Sequence, residues 1–444
     1  LTTPSDPNRP GAVTHRTVLA IALPIMLSNV STPLLGVVDT AVVGRIPDPA
    51  YIGAVALGSL VFTFVFWAFG FLRMGTTGLT AQALGAGRPD EIAAGLGRAL
   101  LMALAAGLAL IALQWPIRET AFALIDGSER VEALARGYVD IRIWAAPATL
   151  ANYALLGWFI GLGRADIGLV LQLVLNLTNM VLDMVFVLGL GWDVRGVALG
   201  TVLAEYSAAT VGLVLAWRRL RAMGAAWERR ALLHGAALRR TLRVNSDIMV
   251  RSLALTTVFV WFTAQGAQQG DVRLAANAVL MQFISMSAYF LDGLAFAAEA
   301  LVGRAIGAGR RTMFAAAARL STAWAAAIAA AISAVLAVFG GLGIDLLTVD
   351  PDVRAAARAY LPWAAAAPLL GVWAFQLDGI FIGATRTGDM RRAMLLSLLI
   401  FLLAWWMLRP WGNHGLWAAL YVHYLARTVT LGWYYPALLR SVPP

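Results

Sequence analysis

The chain is 444 residues long, with 60% hydrophobic residues, only 13% charged ones and a mean hydropathy of +0.75. A soluble surface needs roughly a quarter of all residues charged, so an ordinary soluble globule is excluded and an integral membrane protein is implied. The net charge of +10, with arginine as the only basic side chain among the 34 Lys and Arg positions, does not point to nucleic acid, because the arginines collect in alternate loops.

Residues 1–16 are polar and hold several prolines and glycines, and the apolar run after them is too long for a signal-peptide core, so no cleavable signal is expected. A helix crossing the hydrocarbon needs about 20 mostly apolar residues. Twelve such segments are predicted. The first, 17–43, contains Pro24, which removes one backbone hydrogen bond and makes a candidate hinge, and a polar stripe of Ser28, Thr32 and Asp39. Spans follow at 52–84, 95–115 and 139–160, the last of them bendable at Pro147. The fifth, 167–189, spaces Gln172, Asn176, Asn179 and Asp183 four, three and four residues apart, which puts all four on one face. Such a stripe cannot meet lipid and must face a helix or a water-filled cavity. In the sixth span, 196–217, Thr201 and Glu205 lie one turn apart and extend the same wall.

A basic stretch centred near residue 230 precedes six more spans, at 247–268, 275–303, 315–340, 358–383, 393–409 and 415–439. Pro362 and Pro368 raise the prospect of a bend in the tenth, and Asp292, Glu299 and Asp378 are expected to pair locally. The runs are continuous and helix-length, unlike the alternating segments of about ten residues that build a β-barrel. Arg88, Arg98, Arg164, the cluster from Arg218 to Arg243, Arg310 and Arg386 fall in one set of loops, while Glu119, Asp126, Glu129, Asp345 and Asp350 fall in the other. By the positive-inside rule the first set is cytoplasmic, and so are both termini.

No cysteine is present, which removes disulfides, thiolate metal sites and cysteine nucleophiles. The four histidines show no metal-ligand spacing, and no nucleophile, metal cluster or acid and base pair forms a catalytic constellation, so the chain does not read as an enzyme.

Shifting the chain by 222 residues brings it onto itself: Ala83-Leu84-Gly85-Ala86-Gly87-Arg88 meets Ala305-Ile306-Gly307-Ala308-Gly309-Arg310, and Phe159-Ile160-Gly161 with Arg164 meets Phe381-Ile382-Gly383 with Arg386. The protein is a tandem duplication, divided here into an amino-terminal lobe at 1–222 and a carboxy-terminal lobe at 223–444. The acids are not duplicated. At the same offset Asp39 falls on Trp261.

Pro24 with Val38-Asp39-Thr40, Gly85-Ala86-Gly87-Arg88, Ile160-Gly161-Leu162-Gly163-Arg164, Asn179, Asp183, Thr201, Ala298-Glu299-Ala300-Leu301-Val302-Gly303 and Leu377-Asp378-Gly379 together resemble the multidrug and toxic compound extrusion (MATE) transporters, in particular their DinF branch. The resemblance implies an all-α integral membrane protein with twelve transmembrane helices in two pseudo-symmetric six-helix lobes. It implies export of bulky cationic or amphipathic compounds, driven by inward H+ or Na+ flow. The family's amino-lobe coupling pattern maps onto Asp39, Asn179, Asp183 and Thr201. NorM-like members use a carboxy-lobe acid cluster that includes a glutamate in the seventh span, and its absence here favours protons, with Na+ at the same four residues as the alternative.

The expectation is therefore a secondary active exporter of a bacterial cytoplasmic membrane, acting as a monomer among lipids, without cofactor or nucleic acid. Partly desolvated Asp39 and Asp183 would carry the proton at neutral pH. Met26, Thr32, Phe62, Phe66, Gln172, Asn176, Met180, Met184 and Glu205 are the expected substrate contacts, and Pro24 the hinge. The rival is a lipid-linked oligosaccharide flippase of the same superfamily.

Overall fold

Hydrocarbon supplies no hydrogen-bond partners, so a chain this apolar must pair its backbone within each segment. The computed structural model describes residues 13–46, 48–124, 128–225, 229–232 and 234–443, with the backbone alone at 32, 34, 35, 37, 229 and 230. These residues are helical nearly throughout, and no strand occurs among them. In chain order the helices are α1 (His15–Val43), α2 (Ala50–Trp67), α3 (Phe71–Gly85), α4 (Pro89–Ala112), α5 (Gln114–Leu124), α6 (Glu129–Arg142), α7 (Ala146–Gly161) and α8 (Ala165–Asp183). They continue with α9 (Asp193–Ala222), α10 (Arg229–Leu232), α11 (Gly235–Ala267), α12 (Asp271–Gly307), α13 (Arg311–Leu347), α14 (Pro351–Gly383), α15 (Thr387–Leu408) and α16 (Gly412–Arg440).

Ten continuous stretches are long and apolar enough to cross a membrane, and the last, Thr387–Arg440, holds both α15 and α16. With the 29-residue α1, twelve helical stretches of spanning length are present among the described residues. The protein is all-α and multi-spanning. Large apolar side chains such as Leu108, Val338, Leu399 and Trp433 are exposed, as lipid-facing positions require.

Proline acts differently at each site. α1 remains helical through Pro24, and α14 through Pro362 and Pro368. Pro147 stands in the first turn of α7, after a 3-10 turn at Ile143–Ala145, where its missing N–H costs nothing. α14 begins at Pro351 under the carboxylate of Asp350, which accepts from the amides of Asp352 and Val353 at 2.9 and 3.0 Å.

The duplication is visible in the backbone. Gly87 and Gly309, one repeat apart, turn through left-handed conformations at φ +64° and +63°. Gly163 (φ +73°) has Thr385 (φ +52°) as its counterpart, so the second turn accepts a side chain where glycine would be unstrained. Close helix crossings repeat too. A Cβ on Gly157 would lie 2.2 Å from the carbonyl oxygen of Arg73, and one on Gly379 would lie 2.3 Å from that of Ala295. One turn on, Gly161 meets Thr77 O at 2.7 Å and Gly383 meets Glu299 O at 2.4 Å. Glycine four residues apart lets two backbones touch, which is how helices associate where lipid cancels the hydrophobic drive.

The chain packs as two units. One takes residues up to Met26, 85–87 and everything from Arg243; the other takes 27–84 and 88–242. Trp158, Phe159, Ile92 and Leu220 form a core of the amino-terminal unit, while Phe262, Leu280, Phe401 and Trp417 do so in the carboxy-terminal one.

Candidate functional site

Four of the expected residues meet in the amino-terminal unit. Asn179 and Asp183, one turn apart on α8, are fully buried; Thr201 on α9 is buried against them, and Asp39 comes from α1. With the Asn179 amide turned so that both ends are satisfied, its nitrogen donates to Asp39 Oδ1 at 3.1 Å. Its oxygen then accepts from the Thr201 hydroxyl at 3.2 Å. The Asn179 amide thus lies within hydrogen-bond distance of both carboxyl groups, 3.1 Å from Asp39 Oδ1 and 3.4 Å from Asp183 Oδ1, which brings the two acids into one buried cluster.

Space for this pair comes from a residue the sequence reading passed over. A Cβ on Gly200 would stand 2.3 Å from Asp183 Oδ1, so the carboxyl group occupies the volume a side chain would fill. Directly after Asp183 the helix widens into a π-helical turn, Met184–Gly189, of the kind found at functional positions in helices.

A cavity of about 450 Å³ opens in the same unit, lined among others by Asn29, Phe62, Phe66, Arg142, Gln172 and Glu205. Glu205 accepts from Asn152 Nδ2 at 2.7 Å. Arg142 donates through Nη1 to the Tyr138 hydroxyl at 2.5 Å and to Ser59 Oγ at 3.2 Å, and its guanidinium lies 5.0 Å from the Phe62 ring centre. Aromatic faces, a guanidinium and a carboxyl group thus border one chamber. Its volume lies within the range of small-molecule sites.

The expected substrate contacts separate. Phe62, Phe66, Gln172 and Glu205 line the cavity. Gln172 donates to Asn176 Oδ1 at 2.9 Å, and Asn176 in turn donates to Ser31 Oγ at 3.2 Å, so this part of the stripe ties α8 to α1. Met180 is half-buried on α8, Met184 is exposed, and Met26 is buried against Gly293. The side chain of Thr32 lies outside the described residues, as does Asp126. Arg142, Asn152, Tyr138 and Gly200 were missed. Arg142 carried a usable signal, an ionisable residue inside the predicted span 139–160, where such a group is costly and by default functional.

Two buried acids of the carboxy-terminal unit are tied to arginines. Asp378 accepts from Arg251 and Arg427, and Asp247 from Arg391 at 2.7 Å. No group of three or more His, Cys, Asp and Glu that could hold a metal ion occurs among the described residues.

The profile of the MatE family matches residues 24–185 and 248–411, one stretch in each half of the duplication. The DNA damage-inducible protein F of Escherichia coli (strain K12) is 42% identical over 412 residues, which covers 93% of this chain and 90% of that protein. The multidrug resistance protein MdtK of Edwardsiella ictaluri is 26% identical, covering 73% of this chain and 71% of the relative. A crystal structure of MATE in the bent conformation superposes with a TM-score of 0.86 at 18% identity, over 96% of both chains, a likeness of fold. The chain belongs to the MatE family of multidrug and toxic compound extrusion transporters, in its DinF-like branch.

Proposed function

We propose that the protein is a proton-coupled exporter of bulky amphipathic and cationic compounds from the bacterial cytoplasm, with Asp39, Asn179, Asp183 and Thr201 as its coupling site. The convergence of the Asp39 and Asp183 carboxyl groups on one Asn179 amide carries the reading, because two neighbouring carboxyl groups take up protons as a coupled pair and each proton changes the charge of the site. The cavity supports it from the substrate side. One guanidinium and one carboxyl group, Arg142 and Glu205, stand beside Phe62 and Phe66, a lining suited to an amphipathic molecule rather than to a polyphosphate lipid. The arginine-rich loops support an orientation with both termini in the cytoplasm. Protonation from outside would loosen the Asp39 end of the network, let α1 bend near Pro24 and release substrate outward; deprotonation inside would restore it.

The energetics suffice. One proton moving through 100 mV gains about 2.3 kcal/mol, and one pH unit adds about 1.4 kcal/mol. Together they sustain a gradient of roughly a few hundred-fold for a neutral substrate. The test is dye efflux from proteoliposomes under an imposed pH gradient, with and without sodium, for the wild type and Asp39→Asn. Efflux should need the pH gradient, ignore sodium and disappear in the variant. Full activity of Asp39→Asn would overturn the coupling scheme, and sodium dependence would reassign the ion.

A further inference from the structure

We propose that the carboxy-terminal unit binds a small monovalent anion of chloride size at Arg251 and Arg427. Both guanidiniums donate to the same oxygen, Oδ2 of Asp378, and the three side chains are 6%, 6% and 11% exposed. Neither arginine has another ion pair among the described residues. The triad is therefore one positive charge in excess, inside a membrane domain.

That excess has few ways to be relieved. A buried lysine or histidine could shed its proton, but a guanidinium keeps its charge at any accessible pH. The Nε atoms of Arg251 and Arg427 are buried without hydrogen-bond partners. Water could accept from these donors and still leave the charge unbalanced. An anion does both.

The repeat explains why a site stands here and what size it takes. At the 222-residue offset Asn29, Leu156 and Glu205, which line the amino-terminal cavity, fall on Arg251, Asp378 and Arg427. Phe62 and Tyr153 of that cavity fall on Ile284 and Phe375, which line a void of about 10 Å³ together with Ser287 and Tyr424. The Arg427 guanidinium lies 5.9 Å from the Phe375 ring. The carboxy-terminal counterpart of the cavity is thus nearly closed, with Arg427 in the place of Glu205. The void borders Phe375 and Tyr424, next to Arg427 and not between the two arginines, and it holds about one small sphere and no polyatomic oxyanion.

The test uses the full-length protein in detergent, its thermal unfolding followed by tryptophan fluorescence as chloride or bromide replaces gluconate at constant ionic strength. Both halides should raise the unfolding temperature saturably. Arg427→Gln leaves one guanidinium against one carboxylate and should raise the titration midpoint about ten- to a hundredfold, the loss expected for one charge-assisted hydrogen bond. Arg251→Gln should do the same and serves if the first variant does not fold. Asp378→Asn enlarges the excess and should lower the midpoint. An unfolding temperature that is flat in halide, a response that survives both arginine variants, or a midpoint that Asp378→Asn leaves in place would each overturn the proposal.

Discussion

Gly200→Ala is the sharpest perturbation of the proposed coupling site, because it adds one methyl group and removes no polar atom. The new Cβ would stand 2.3 Å from Asp183 Oδ1, and 3.4 Å is the near limit of ordinary contact, so the carboxyl group must retreat by about 1 Å. Asp183 is fully buried, with α9 in front of it, and has no free volume on that side. A shift of that size disrupts its contact with the Asn179 amide, which also holds Asp39. Leaving one buried polar group unmatched costs about 1–3 kcal/mol, which corresponds to roughly a ten- to hundredfold loss in transport rate if the lost contact acts in the coupled step. The assay is initial efflux rate in proteoliposomes across a series of imposed pH gradients, with detergent-solubilised protein checked for monodispersity and unfolding temperature. The expected outcome is a slower exporter with a displaced pH profile and a folded chain. Wild-type rate with an unchanged profile would mean that the position of Asp183 against Gly200 has no bearing on coupling.

The close crossings make a prediction about stability. Gly379→Ala drives a Cβ to 2.3 Å from a backbone oxygen that cannot rotate away and should destabilise the carboxy-terminal unit by about 1–3 kcal/mol. Gly95→Ala, where a Cβ meets nothing within 4 Å on α4, should be neutral or stabilising by about 0.5–1 kcal/mol. Unfolding temperatures of the two variants, measured side by side, decide the matter, and an equal effect would contradict the packing argument. A third expectation concerns pH outside the spans. The Arg136 guanidinium, and after it Arg118, holds the Glu119 carboxyl below its usual value of 4.5. A depressed carboxyl contributes stability above the unfolded value and loses it as pH falls through the folded one. Glu119→Gln should therefore be less stable than the wild type at neutral pH, with a gap that closes below about pH 4.5; a gap constant with pH would show that the ion pairs do not contribute.

How much of this was legible in the sequence depends on the kind of signal. Helix number and the duplication were readable because hydrophobic length and a fixed offset are properties of the chain itself, as Gly87 and Gly309 show with the same left-handed turn. Asn179, Asp183 and Thr201 could be placed on facing helices because polar residues at helical spacing cannot meet lipid. The cavity was less accessible. Met26, Met180 and Met184 resemble plausible apolar liners in one dimension, yet only the turn of each helix decides whether such a side chain meets the chamber, the core or the lipid, and Met184 turns outward. Gly200 carried no chemical signal, since its role is to be absent from a volume that Asp183 needs.

The two halves also show which features a duplication must keep. Gly157 and Gly161 against α3 are matched by Gly379 and Gly383 against α12, because a bulkier residue at any of them would collide with backbone. The polar positions diverged instead: Asp183 has Trp405 as its counterpart, Asn179 has Phe401 and Thr201 has His423. Packing is required in each unit separately, whereas the proposed coupling site would be needed only once per transport cycle. A glycine that spaces helices is therefore held twice by geometry, whereas a buried carboxylate, which costs free energy, need not be kept in both halves.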